Sequence, residues 1–206
     1  MQRFVEYFKP LDEKVRKFSL EKTMASAPKD FDDLWIFAYG SLMWDATFAY
    51  CEKSPAELNG WHRDLCVWTA LARGTPRLPG LALGLVPGGV CEGLAFKVAD
   101  AEQSDMLKTL LERDVWTDIY LPNWGSIVCG KQTHTAITFT TNTESLQFAG
   151  GLSVKHVVDH VVQARGRMGT CWEYLFSTMD KLQALGINEP DLQNVSELAR
   201  VQLDRR

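Results

Sequence analysis

The sequence predicts an α+β domain whose short strands curl into a barrel-like sheet. Strand-like segments cluster in the middle of the chain, helical periodicity gathers toward its ends, and no repeat or linker interrupts the 206 residues. A chain of this length buries about 70% of the surface exposed by its unfolded form, so neither disulfides nor a metal are required for folding.

Residues 1–33 are charged, with apolar clusters only at Phe4–Phe8 and around Phe18–Leu20. They read as an N-terminal extension of one or two helices, ending in polar Ser26–Asp33. The character changes at Leu34: Leu-Trp-Ile-Phe-Ala-Tyr-Gly-Ser-Leu is an apolar, aromatic-rich run entering a Gly-Ser loop, the pattern of a buried strand. Strands are expected at Asp64–Ala70, Leu81–Leu85 and Gly93–Val98, with Gly-Thr-Pro-Arg-Leu-Pro-Gly and Pro-Gly-Gly as the turns between them. Asp100 is the expected N-cap of a helix with Met106, Leu107, Leu110 and Leu111 on one side, stopping near Trp116. Tyr120–Gly125, a strand at Gly125–Cys129 and a β-branched run Thr133–Thr141 follow. Ser153–Ala164 groups Val154, Val157, Val158, Val161 and Val162 as a helix before Gly166. Trp172–Leu185 carries Tyr174, Leu175, Met179, Leu182 and Leu185 on one side, with Gly186 just past its end. A last amphipathic helix spans 189–203.

Composition narrows the function. Net charge is −4, and no basic stripe marks a nucleic-acid or anionic-lipid surface. No stretch approaches eighteen apolar residues, and the charged N-terminus lacks the apolar core of a signal peptide. Cys51, Cys66, Cys91, Cys129 and Cys171 are odd in number and scattered, without CxxC or zinc-ribbon spacing. These features describe a cytoplasmic protein with thiol cysteines.

Most local motifs are weak. His156 and His160 share a helix face at i, i+4, but Asp159 stands where a zinc-protease helix carries Glu and no third ligand can be placed, so a solvated face is expected. Ser41 lacks the flanking glycines of a nucleophile elbow, because Tyr39 and Met43 occupy those places. None of the cysteines has cationic support readable from its neighbours. The glycine-containing stretches fit neither GxGxxG nor GxxxxGK[ST]. Tyr39-Gly40-Ser41-Leu42-Met43-Trp44 is different, because a Gly-Ser turn at a strand end exposes consecutive backbone N–H groups, as an anion nest or oxyanion hole requires.

Further strings accompany it: Gly60-Trp61-His62-Arg63, Arg73-Gly74-Thr75-Pro76 through Leu81, Arg113-Asp114 followed by Tyr120-Leu121-Pro122-Asn123-Trp124, and Gly166-x-x-Gly169-Thr170 through Glu173-Tyr174-Leu175. In order and spacing they resemble the ChaC-type γ-glutamylcyclotransferases across about residues 33–200. The resemblance implies a γ-glutamylcyclotransferase-like fold over 34–206, a small mixed β-barrel flanked by helices. It implies intramolecular aminolysis of a γ-glutamyl substrate, glutathione foremost, to 5-oxoproline and Cys-Gly. Neither cofactor nor metal is implied, and the partner is a small molecule rather than nucleic acid or membrane; oligomeric state is not readable. The implied site comprises Asp114 as catalytic base, with Tyr39, Gly40, Ser41, Leu42, Met43, Trp44 and Tyr120 around the substrate. Arg73 and Arg63 are candidates for a carboxylate clamp, because that substrate class is anionic and a planar guanidinium suits bidentate carboxylate recognition. Two departures stand out. Asp114 replaces the family's Glu, and Thr170-Cys171 replaces a small polar residue and Asn, which reads as an altered pocket lining. The first leaves open a γ-glutamyl-binding protein without turnover, or a cyclotransferase for another γ-glutamyl amine. Glu173 is the reserve carboxylate should Asp114 not be the base.

Overall fold

Leu34–Ala38 is buried along its whole length, and the strand it forms, β1 (Trp35–Ala38), has sheet neighbours on both sides. It runs antiparallel to β3 (Gly80–Lys97) and parallel to β5 (Gln132–Thr141), which explains why it is apolar throughout rather than alternating. With β2 (Glu52–Thr69) and β4 (Tyr120–Cys129) these strands close a mixed barrel in the order β1-β3-β2-β4-β5. The computed structural model describes residues 8–28, 33–46, 48–99 and 103–205. The described residues divide into two compact units, 10–63 with 85–142, and 8–9 with 64–84 and 143–205, and β2 and β3 run through both.

In the first unit, β4 and β5 pair in register from Tyr120↔Thr141 to Cys129↔Gln132. Tyr120–Gly125 and the expected strand Gly125–Cys129 therefore form one ten-residue strand. Its Pro122 lacks an N–H, a residue type that sheets tolerate where no ladder donor is needed. A correction concerns Pro87-Gly88-Gly89, expected as a turn. It lies inside an eighteen-residue β3, where Gly88 (φ 105°) and Gly89 (φ 74°) adopt backbone conformations closed to most side chains and interrupt the regular ladder without ending it. Likewise the strand expected at Asp64–Ala70 is the end of a longer β2, which stops at Thr69. Helix α1 (Glu13–Ala25) is capped by Asp12, whose side chain accepts from the Lys14 N–H at 2.8 Å, and is tied to β4 by Trp124 Nε1 donating to the Thr23 carbonyl at 3.0 Å. The Phe4–Tyr7 part of the expected N-terminal cluster and the Asp100 cap lie outside the described residues. Helix α2 (Gln103–Asp114) buries Leu107, Leu110 and Leu111, three of the four stripe residues.

In the second unit, α3 (Val154–Gln163) starts at the Ser153 cap and buries Val158, Val161 and Val162, while Val154 remains exposed. A two-residue ladder, β6 (Arg165–Gly166) with β7 (Gly169–Thr170), follows and is too short to leave a periodic signal. Helix α4 (Cys171–Ala184) opens on a capping box between Thr170 and Glu173, and α5 (Pro190–Asp204) begins with Pro at its first turn. The segment after β2 is the expected turn, closed by reciprocal Thr75–Leu78 backbone bonds. It docks on β6–β7: Arg167 and Met168 N–H donate to the Leu71 and Ala72 carbonyls at 2.9 Å. Gly74, Gly80 and Gly166 make this possible, because a Cβ on any of them would collide with the backbone of the neighbouring segment.

Candidate active site

The strand β1 delivers the chain into a single 3-10 turn, Ser41–Met43, closed by Met43 N–H to the Gly40 carbonyl at 2.9 Å and Trp44 N–H to the Ser41 carbonyl at 3.0 Å. The turn leaves the N–H groups of Gly40, Ser41 and Leu42 without an acceptor among the described residues. These are three consecutive amide donors, as the sequence led us to expect of this loop. Tyr39 fixes the entry: its hydroxyl donates to the Phe139 carbonyl at 2.8 Å. Its own carbonyl accepts from Arg63 Nε at 2.6 Å. Leu42 and Met43 are buried, while Gly40, Ser41 and Trp44 are half-buried.

Arg63 corrects an expectation. It was a clamp candidate, yet its side chain is 5% exposed and also donates through Nη2 to the Glu92 carbonyl, with Met43 Sδ 4.0 Å away. Its donors serve backbone carbonyls and the interior. The Gly-Trp-His-Arg string marks the residue, but its backbone partners leave no signal in the sequence.

Asp114 is the last residue of α2, and its side chain is 19% exposed. Arg113 Nε donates to its Oδ1 at 3.2 Å. Burial pushes the carboxyl above its ordinary value, and the adjacent guanidinium opposes that rise without cancelling it. A carboxylate with a raised pKa is the better proton acceptor once ionised. Tyr120, half-buried, opens β4 directly opposite Thr141. Beyond Asp114, the chain returns to the barrel through Asn142, whose N–H and side-chain amide hold the Ile119 and Asp118 carbonyls.

The second unit holds the remaining motif residues together. Arg73 Nη1 donates to the Thr170 carbonyl at a long 3.5 Å, and its guanidinium lies 5.6 Å from the Tyr174 ring centre. The Tyr174 hydroxyl accepts from the Leu83 N–H at 3.1 Å, which ties α4 to β3. Cys171 is fully buried, and its Sγ both accepts from the Leu81 N–H and donates to the Leu81 carbonyl, each at 3.2 Å. Burial pushes this thiol up to about 11, so it is neither a nucleophile nor the pocket-lining change the sequence suggested. It clasps β3 to the start of α4, and an Asn side chain has the donor and acceptor to make the same pair of bonds. Glu173 is exposed and accepts from the Thr170 N–H and hydroxyl at 2.7 and 2.8 Å, which hold its carboxyl below the ordinary range. That makes it a helix cap and a poor reserve base. His156 is exposed beside the Ser153 hydroxyl, but His160 is half-buried, bonded to the Pro79 carbonyl at 2.8 Å and packed edge-on to Trp68. The expected solvated face thus holds for one histidine only. Among the described residues, no group of three or more His, Cys, Asp or Glu side chains is placed to hold a metal, and no helix is long and apolar enough to cross a membrane.

Known proteins resemble this chain in sequence and in fold. A glutathione-specific γ-glutamylcyclotransferase of Escherichia coli is 32% identical over 181 residues, spanning 87% of this chain and 78% of that protein. The human glutathione-specific γ-glutamylcyclotransferase 1 is 26% identical over 163 residues, spanning 77% of this chain and 73% of that protein. Among solved structures, a γ-glutamyl cyclotransferase specific to glutathione from yeast superposes with a TM-score of 0.76 at 16% identity, covering 82% of this chain and 96% of that one, a likeness of fold. The family model described as ChaC-like protein matches residues 34–202. With that match over most of its length, the chain belongs to the ChaC-like protein family.

Proposed function

We propose that the chain is a γ-glutamylcyclotransferase that converts glutathione to 5-oxoproline and Cys-Gly. The observation that carries this reading is the row of unengaged amides at Gly40, Ser41 and Leu42, in a member of a family whose E. coli and human relatives are named for glutathione. The substrate's α-amine, freed of a proton by Asp114, attacks its own γ-carbonyl. The new C–N bond closes a five-membered lactam, and the amide bond to cysteine breaks. Asp114 takes one proton before the attack and a second from the attacking nitrogen after it, and both pass to the departing amine, which leaves as an ammonium, so the carboxylate is restored after each turnover. The loop amides hold the negative charge that develops on the γ-oxygen and the substrate's α-carboxylate, a term worth about 2.7–4 kcal/mol per donor in comparable sites. Folding the glutamyl arm into attack geometry supplies several kcal/mol more. Tyr120 borders the substrate.

The test is incubation of the purified chain with glutathione and mass spectrometry of the products. Equal amounts of 5-oxoproline and Cys-Gly are expected. Binding of glutathione without product would assign the chain as a γ-glutamyl-binding protein, and neither binding nor product would remove the reading.

A further inference from the structure

We infer that Arg63 is a positioning residue for the reaction, which aims the Gly40 N–H at the substrate by seizing the other end of the same peptide. The inference rests on the proposed function and adds to it a residue that touches no substrate. The geometry is simple. Arg63 Nε holds the Tyr39 carbonyl at 2.6 Å. The described residues contain no cis peptide, so the Tyr39–Gly40 peptide is trans, with its C=O and N–H pointing in opposite directions. Fastening the carbonyl toward the buried guanidinium turns the Gly40 N–H away from it, on the side where no protein acceptor meets that N–H.

Three further contacts make the peptide plane rigid. Arg63 Nη2 donates to the Glu92 carbonyl on β3, which locks the planar guanidinium against rotation about the Nε bond. Met43 Sδ lies 4.0 Å from the same Nη2, so the far end of the loop rests on the same group as its start. On the other side of Tyr39, the hydroxyl is fastened to the Phe139 carbonyl of β5. Tyr39 is therefore fastened to Arg63 of β2, which is itself held by Glu92 of β3, and to Phe139 of β5, and Arg63 sets the direction of the next amide. The guanidinium is also a buried positive charge behind a loop assigned to an anion, where low dielectric strengthens its effect.

Arg63→Met keeps a stem of similar length and removes the donors. For the folded fraction, kcat/KM for glutathione should fall by about 100-fold, the size of effect seen when one oxyanion donor is lost. Arg63→Lys keeps the charge but reaches one carbonyl at a time, and should recover part of that loss. The Gly40 amide, followed by NMR, should shift and exchange faster in both variants. A merely structural role would lower Tm while leaving kcat/KM of the folded fraction and the Gly40 amide unchanged, and that result overturns the inference. If Arg63→Met does not fold, Arg63→Lys decides by the same two readouts. Wild type without turnover or glutathione binding would remove the proposed function itself, and an unshifted Gly40 amide in Arg63→Lys would remove the positioning role independently.

Discussion

Replacing Asp114 by Asn separates charge from shape. Oδ1 keeps an oxygen near Arg113, the side chain keeps its volume, and the proton acceptor is lost. Loss of a general base lowers the rate by about 10²–10⁴, equivalent to roughly 2.7–5.4 kcal/mol of barrier. Stability should respond differently. Burial raises the Asp114 pKa above 3.8, so the folded state favours the protonated form. Its contribution to folding is therefore greatest below that value and is lost as pH rises through the folded pKa. At neutral pH Asn removes a poorly solvated charge and forfeits a pair with a partner that is 40% exposed, worth about 0–1 kcal/mol. Activity should collapse with Tm nearly unchanged, and stability of the variant should vary less between pH 4 and 7. Asp114→Glu tests reach. The helix closes with an ordinary Val115 N–H to Leu111 carbonyl bond of 2.9 Å, so the end of α2 is regular. The longer side chain should raise kcat/KM, by up to about 100-fold for a misplacement near 1 Å. Both are read by 5-oxoproline formation and urea denaturation across pH. An Asn variant as active as wild type would refute the assignment of the base, and a Glu variant slower than wild type would refute the argument from reach.

Cys171→Ala strands the Leu81 N–H and carbonyl in the interior and should cost about 2–4 kcal/mol in urea, with Cys171→Asn closer to wild type; its thiol should resist alkylation at pH 8 while exposed Cys51 reacts. Gly80→Ala drives a methyl against the Arg73 carbonyl and Cys171, and should destabilise by about 1–3 kcal/mol in the same assay. Tyr39→Phe removes the bond to Phe139 and should cost about 1 kcal/mol in stability, with a larger proportional loss of kcat/KM if the loop loses its register.

The helices of the C-terminal third were legible because end signals and periodicity agree there: Ser153 caps α3, and Gly186 follows the Leu185 cap of α4. The barrel was legible as a class, but its strand lengths were not. Pro87-Gly88-Gly89 is locally a turn, and only pairing along both sides of β3 keeps it extended. The loop after β1 could be picked out because a Gly-Ser pair directly after the apolar, aromatic run Leu34–Tyr39 is chemically unusual. The roles of Arg63 and Cys171 could not, since both depend on carbonyls far along the chain, at Tyr39, Glu92 and Leu81, and backbone acceptors leave no trace in side-chain identity.

The docking of the turn after β2 on β6–β7 joins residues about ninety positions apart. The Leu71 and Ala72 carbonyls, the Leu81 and Leu83 amides and the Pro79 carbonyl all wait for donors or acceptors from His160 to Tyr174. A ribosome-bound chain ending near Thr141 has every barrel strand but none of these partners. Loop closure over such a span is slow. The connection between the two longest strands should consequently be among the last parts to become protected, and a nascent chain halted before Arg165 should be cut by proteases within residues 70–80.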